Sequence, residues 1–267
     1  MKQNEKNEIA VEVKNVTARF NMASEKIDNL KEYFIKLVKR ELMFEEFLAL
    51  KNVSFSVKKG ESWGIIGING SGKSTLLKVI CGILKPYKGT VTVNGTIAPL
   101  IELGAGFDGD LTARENIYLN GAVLGHDEQF MKEHFDEIVE FAELENFLDM
   151  PIKNYSSGMQ VRLAFSVAIK AQGDILVLDE VLAVGDEAFQ RKCDDFFTEI
   201  KKDPTKTVIL VTHDMNSVKK YCSRAMMIAD GKVEAIGDPE TVSQQYTLAN
   251  LEAEEKAERK RQEERGG

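Results

Sequence analysis

Residues Gly67 to Thr75 read GINGSGKST and fit the pattern G-x-x-x-x-G-K-[ST], with Gly67, Gly72, Lys73 and Ser74 at the fixed places. A short apolar run, SWGIIGI, leads into the stretch, and a helical run, STLLKVICGIL, leads out of it. A glycine-rich turn that binds nothing can share the glycines, but the Lys-Ser pair and the strand–turn–helix context mark a phosphate loop. Glycine lets the backbone curl until successive N–H groups converge on anionic oxygens. The following helix adds its positive N-terminal end. Gly67, Asn69, Gly70, Ser71, Gly72, Lys73, Ser74 and Thr75 are therefore expected to hold a nucleotide's phosphates. Lys73 reaches the outer phosphates, and Ser74 is placed to ligate Mg²⁺.

The rest of the chain supplies a sheet for such a loop. IAVEVKNVTARF, from Ile9 to Phe20, alternates apolar and polar residues and predicts a first strand. ALKNVSFSVKKGE alternates again, with Gly60 closing a turn, and GTVTVNGTIAPL predicts a strand pair about an Asn-Gly turn. DILVLDE and TVILVTH are continuous apolar runs, the kind buried on both faces of a parallel sheet. AMMIADGKVEAIG predicts a closing hairpin that turns at Asp230-Gly231. From about Ala113 to Ile169 the pattern is helical, broken at Pro151. The class is α/β with an inserted helical block. Between the first two strands, Ile27, Leu30, Phe34, Leu37 and Val38 recur at helical spacing behind a Ser24 N-cap. Lys26, Lys31, Lys36, Lys39 and Arg40 accompany them, so this helix either packs on the core or meets a membrane partner or anionic headgroups. The end, LEAEEKAERKRQEERGG, reads as a solvated or frayed helix.

Asp179 closes the strand DILVLD at the carboxyl edge of the sheet, the usual ligand crevice. A carboxylate there can hold Mg²⁺ through water. Glu180 is placed to orient and deprotonate an attacking water, the alternative being a helix cap after a strand. His213 ends TVILVTH at the same edge, within reach of a γ-phosphate, although a lone histidine is more often structural.

A length of 267 residues with 43% hydrophobic content suits one large or two intimately joined domains. The net charge of −8 argues against a general nucleic-acid binder. Cys81, Cys193 and Cys222 lie far apart without metal or disulfide spacing, which points to a reducing compartment. No apolar run approaches the roughly 18 residues that span a bilayer, and the start MKQNEKNE lacks a secretory h-region. A cytosolic protein is expected, unless something else holds it at a membrane.

One stretch stays unexplained by these parts. YSSGMQVRLAF, residues 155–165, sets two serines and a glycine directly ahead of a helical pattern, and capping accounts for only part of it. With the order phosphate loop, helical block, YSSGM, DILVLDE and histidine, the chain resembles the ATP-binding-cassette (ABC) ATPases. YSSGMQ stands where that family carries a Leu-Ser-Gly-Gly-Gln signature; Ser156 and Gly158 match, while Tyr155, Ser157 and Met159 depart. The resemblance implies a P-loop NTPase with a mainly parallel core sheet, an N-terminal antiparallel β-subdomain and an inserted helical subdomain at about 105–172. Residues 1–250 would form this ATPase domain and 251–267 a charged tail. ATP and Mg²⁺ are the implied cofactors. Ser156, Ser157 and Gly158 are implied to bind the γ-phosphate of ATP held by a second copy, an anion site that a helix start suits physically. Two ATPs would be sandwiched in an isologous homodimer. Asp186, in AVGD, matches the family's interface aspartate, and Phe20 matches the aromatic that stacks on adenine, with plain packing as the alternative.

The resemblance covers roughly Ile9 to Tyr246 and narrows further. IELGAGFDGDLTARENIYLNG, YSSGM and DEVLAVGDEAFQRKC look like the ATPase subunits of bacterial polysaccharide, O-antigen and teichoic-acid exporters. That implies a peripheral protein on the cytoplasmic face of the membrane, beside a membrane-spanning permease, energising export of a lipid-linked cell-surface polymer. The alternatives are the ATPase of another exporter, or a soluble ABC protein, which usually carries two cassettes or long insertions. The family's usual glutamine after the phosphate-loop helix is missing between Gly89 and Asn120, and Glu102 is the nearest polar candidate for Mg²⁺. Nothing after about residue 250 is expected to form the carbohydrate-binding domain of some members, so selection of the polymer is expected elsewhere.

Overall fold

The computed structural model describes residues 8–23, 44–101, 103–170, 173–179 and 185–266. The basic helix expected around Lys26 to Arg40 lies outside these residues. The amino-terminal half contains β1 (Ile9–Ala23), β2 (Phe44–Lys58), β3 (Ser62–Ile66), α1 (Lys73–Ile80), β4 (Lys88–Val93) and β5 (Ile97–Leu100). A helical block follows: α2 (Ala113–Val123), α3 (Glu128–Ala142), two short 3₁₀ turns and α4 (Ser157–Ala168). The chain then returns through β6 (Ile175–Asp179), α5 (Glu187–Lys202), β7 (Thr207–Val211), α6 (Met215–Tyr221), β8 (Arg224–Ala229), β9 (Lys232–Gly237) and α7 (Pro239–Gly266).

Two sheets result. The larger has the order β5-β6-β7-β3-β8-β9, parallel except for the β8–β9 hairpin. Its apolar strands alternate between two cores. Trp63 and Ile65, Ile175 and Val177, and Ile209 and Val211 face one side. Ile66, Leu176, Leu178, Val208 and Leu210 face the other. The first core is closed by α1 and by an antiparallel sheet of order β2-β1-β4, the second by α5, α6 and the start of α7. Burial on both faces is why these runs carry no polar alternation. Each buried branched or aromatic side chain contributes about 1.5–3 kcal/mol. A third core, with Ile117, Met131, Ile138 and Leu163, belongs to α2, α3 and α4. It starts cleanly because Thr112 and Glu115 form a reciprocal capping box.

One expected pairing is absent. Residues of GTVTVNGTIAPL form β4 and β5, but β4 pairs with β1 and β5 with β6. Asn94-Gly95 is a crossing between sheets, not a hairpin turn. Gly95 takes φ 134° there, and Thr96 donates from its N and Oγ1 to Asp174 Oδ2 at 2.8 and 2.9 Å. Those bonds fasten the crossing to the start of β6, and each strand gains a ladder in a different layer. The hairpin at Asp230-Gly231 forms as expected, with both residues at positive φ. The charge run at the end continues α7, a helix whose Val242 and Tyr246 are buried against the core and whose Leu248 and Leu251 are exposed.

Candidate functional site

β3 lies inside the larger sheet and delivers residues 67–72 to its carboxyl edge, where α1 begins. Backbone demands explain the glycines. A Cβ on Gly67 would stand 2.3 Å from the Ile228 carbonyl oxygen, and one on Gly72, at φ 108°, would stand 2.5 Å from that of Ala49. Gly72 is the N-cap of α1, so no side chain caps this helix, and its first turn carries no acidic residue. The amides at its start are therefore left for an anion. Lys73 is the first residue of α1 and is 6% exposed. Its Nζ donates to the carbonyls of Gly67 at 2.7 Å and Ile68 at 3.0 Å, which holds the ammonium against the loop. Ser71 Oγ is buried with no hydrogen-bond partner among the described residues.

These groups open on a cleft of about 510 Å³ lined by Asn69, Gly70, Gly72, Lys73, Ser74 and Thr75, together with Asp179, Phe47, Ala49 and Ile101. The lining combines amides, an ammonium and hydroxyls with an aromatic ring and two aliphatic side chains. That mixture suits a nucleoside triphosphate, whose phosphates need the amides and ammonium and whose base needs apolar contact. Ser74 and Asp179 bring oxygen donors to one cleft, the hard donor type that suits Mg²⁺. Asp179 reaches the cleft because β6 pairs in parallel with β7, two strands from β3, so its last residue sits on the same edge.

Phe20 stands differently from the expectation placed on it. It is directly opposite Phe47 in the β1–β2 ladder, and paired residues project from the same face. Phe47, not Phe20, lines the cleft, and it is 47% exposed. Sequence reasoning passed over Phe47; its signal was the alternation Phe47, Ala49 in FEEFLAL, legible only once the register with β1 is known. Ile101 was likewise missed.

Ser156, Ser157, Gly158, Asp186 and His213 do not line this cleft. Ser156 is the N-cap of α4 and accepts from Met159 N at 3.2 Å. Ser156 and Ser157 are exposed, whereas Tyr155 is buried and donates its hydroxyl to the Phe147 carbonyl at 2.7 Å. The tyrosine thus anchors the turn, and the two serines that follow it stay exposed. Asp186 caps α5, accepting from Phe189 N at 3.0 Å, and pairs with Arg162 of α4 at 2.8 Å. His213 is exposed after β7, beside Asp214, which caps α6. Glu180 and Glu102 lie outside the described residues.

Residues 50–183 match the family described as ABC transporter. The chain is 46% identical over 204 residues to the O-antigen export system ATP-binding protein RfbB of Klebsiella pneumoniae, a match spanning 76% of this chain and 82% of that one. It is 39% identical over 236 residues to the teichoic acids export ATP-binding protein TagH of Bacillus anthracis, spanning 88% of this chain but 42% of that protein. Among solved structures it is similar to the dimeric post-hydrolysis state of the ATP-binding cassette MJ0796 bound to ADP and Pi. That likeness has a TM-score of 0.68 at 26% identity and covers 86% of this chain and 98% of that one. The chain belongs to the ABC transporter family, as one of its ATP-binding, ATP-hydrolysing subunits.

Proposed function

We propose that this chain powers export of a lipid-linked cell-surface polysaccharide or teichoic-acid-like polymer, working as a nucleotide-sandwich homodimer against a membrane-spanning permease. Its place would be the cytoplasmic face of the membrane. The names of the relatives, exporters of O-antigen and of teichoic acids, support the class of cargo. No helix among the described residues is long and apolar enough to cross a membrane.

The observation that supports the dimer is a division between two helix starts. The cleft over the start of α1 suits a triphosphate, while Ser156 and Ser157, exposed at the start of α4, do not line that cleft. In a two-fold dimer each helix start meets the partner's nucleotide. Lys73 and the loop amides grip the outer phosphates, and Phe47, with Phe20 beside it in the ladder, supports the base. Mg²⁺, held by Ser74 and Asp179, with Glu102, the residue after the cleft-lining Ile101, as a further carboxylate, would neutralise charge on the phosphates. Glu180 takes the proton of the attacking water, His213 contacts the γ-phosphate, and Ser156, Ser157 and Gly158 of the partner close over it. Asp186 belongs to the dimer face. Catalysis then rests on positioning and charge stabilisation, since phosphoryl transfer asks little covalent chemistry of the protein.

Glu180→Gln tests this reading. The variant is expected to bind ATP, to elute as a dimer only with ATP and Mg²⁺, and to turn over at least about a hundredfold more slowly. A variant that hydrolyses ATP at the wild-type rate removes Glu180 from its role. One that stays monomeric with ATP removes the sandwich.

A further inference from the structure

The tip of the β8–β9 hairpin reaches beyond its own sheet. Gly231 is buried there at φ 76°, next to the exposed Asp230 at φ 46°. Its N–H donates to the Ser71 carbonyl of the phosphate loop at 3.0 Å, and its carbonyl accepts from Lys51 N of β2 at 2.7 Å. One residue therefore joins the loop that follows β3 to a strand of the other sheet. That strand also brings Phe47 and Ala49 to the cleft. The hairpin itself asks for neither bond, because Ala229 and Lys232 already pair across the turn.

β2 is shaped to meet the tip. Two steps along β1, from Val16 to Ala18, face three steps along β2, from Val53 to Leu50. The extra residue makes a bulge at Lys51-Asn52, with Asn52 at φ 57° and its amide donating to Thr17 Oγ1 at 3.2 Å. Bulges re-aim backbone groups, and here the Lys51 amide leaves the ladder for Gly231. The approach is close. A Cβ on Gly231 would stand 2.7 Å from Ala49 O and 3.3 Å from Leu50 Cα, both backbone atoms. The phosphate loop approaches the same Ala49 carbonyl through Gly72. Loop, hairpin tip and β2 thus converge two residues from Phe47.

We infer that Gly231 is a positioning residue for the nucleotide: it sets the spacing between the phosphate loop and the strand that carries Phe47. The inference rests on the reading above that Phe47 supports the base. A ligand that uses both the loop and the ring depends on this spacing. A ligand that uses the loop alone does not. ATP is of the first kind, and inorganic tripolyphosphate is of the second. Only glycine fits, because the tip has to adopt a left-handed conformation and lie against the β2 backbone at the same residue.

The test uses the full chain and four variants: Gly231→Ala, Asp230→Ala, Phe47→Ala and the double variant Gly231→Ala/Phe47→Ala. Affinities for ATP and for tripolyphosphate are measured by competition against a fluorescent ATP analogue, at protein concentrations where the chain is monomeric. The analogue's own affinity is measured for each variant. Phe47→Ala is expected to lose roughly 5- to 150-fold in ATP affinity, the range of a base–aromatic stack, with tripolyphosphate within about twofold of wild type. In Gly231→Ala the new methyl pushes β2 off the tip, so ATP affinity should fall about tenfold, part of the full stack. Tripolyphosphate should again stay within about twofold, since the Gly231 amide still reaches Ser71. Asp230→Ala weakens the turn without placing an atom against β2, and should show the same selective loss at smaller size. The double variant should bind ATP within about twofold of Phe47→Ala, because the ring that the tip places is gone. Equal losses for both ligands in Gly231→Ala, or no loss for either, overturn the inference. Should that variant fail to fold, the same outcomes in Asp230→Ala decide it. Multiplication of the single effects in the double variant overturns it as well. A wild-type ratio of the two affinities in Phe47→Ala brings down the reading of Phe47 and this inference together. A selective loss in Phe47→Ala beside a wild-type ratio in Gly231→Ala brings down this inference alone.

Discussion

The helix starts at Gly72 and at Gly158 obey opposite rules. At α1 the cap is a glycine at φ 108°, no side chain caps the helix, and a methyl on Gly67 or Gly72 would collide with a backbone carbonyl. At α4 the cap is a serine in ordinary extended geometry, and a Cβ on Gly158 would find nothing nearer than Ser156 Oγ at 3.9 Å. The first start is dictated by the packing of its own chain. The second is open, and the fold of one protomer asks only for a cap there. Residue identity at α1 is therefore explained inside the molecule. The second serine and the glycine at α4 are not accounted for by contacts within one protomer, and under the proposed sandwich a second copy's nucleotide would supply the reason.

The comparison breaks first at Gly67. Gly67→Ala places a methyl 2.3 Å from Ile228 O and 2.6 Å from Ser71 Oγ, so β8 or the loop has to move. Overpacking of this kind costs about 1–3 kcal/mol, and the loop amides lose their convergence. ATP affinity of the monomer should fall at least about a hundredfold, with a lower melting temperature. A titration with a fluorescent ATP analogue and a thermal melt give both readings. Wild-type values in the two would mean that the loop is no more constrained than the open start.

Ser156→Ala sharpens the contrast from the other side. Removing the N-cap costs about 1 kcal/mol of stability, while monomer affinity for ATP should not change, because Ser156 does not line the cleft. Turnover at saturating ATP should fall by about 10²- to 10³-fold, as when a single donor to developing charge is lost. A drop in monomer affinity equal to the drop in turnover would place Ser156 in its own protomer's site and end the distinction.

The same contrast accounts for what could be read in the sequence. The phosphate loop, the buried strands at DILVLD and TVILV, the hairpin at Asp230-Gly231 and the helical block were legible because each is specified within a few residues: a glycine pattern, an apolar run, a turn dipeptide, a helical period. The partners of β4 and β5 were not legible. Asn-Gly is a hairpin signal locally, and only the claim of β1 on Val91 and Val93, and of β6 on Ile97, separates the strands. Phe47 escaped for a related reason, since its place in the cleft depends on a β1–β2 register with shifts near Val16 and Ala18. Arg162 escaped because it looks like any polar residue of an amphipathic helix until α5 is packed beside it. Local chemistry was written in local sequence, and long-range pairing was not.

The smallest predicted effect lies at Asp186, which caps α5 and pairs with Arg162 of α4. Its carboxyl is held below the ordinary value of 3.8, first by the amide of Phe189 and further by the Arg162 charge and the amide of Ala188. A depressed folded-state value means that the carboxylate contributes stability above 3.8 and loses it as pH falls through the lowered value. Asp186→Asn keeps an oxygen for the Phe189 amide but removes the charge that faces Arg162. Wild type should therefore melt slightly above the variant at neutral pH, and the two curves should converge under acid conditions below 3.8. A difference that persists undiminished in acid would show that the asparagine disturbs the cap itself. The bond to Arg162 would then carry none of the difference between wild type and variant.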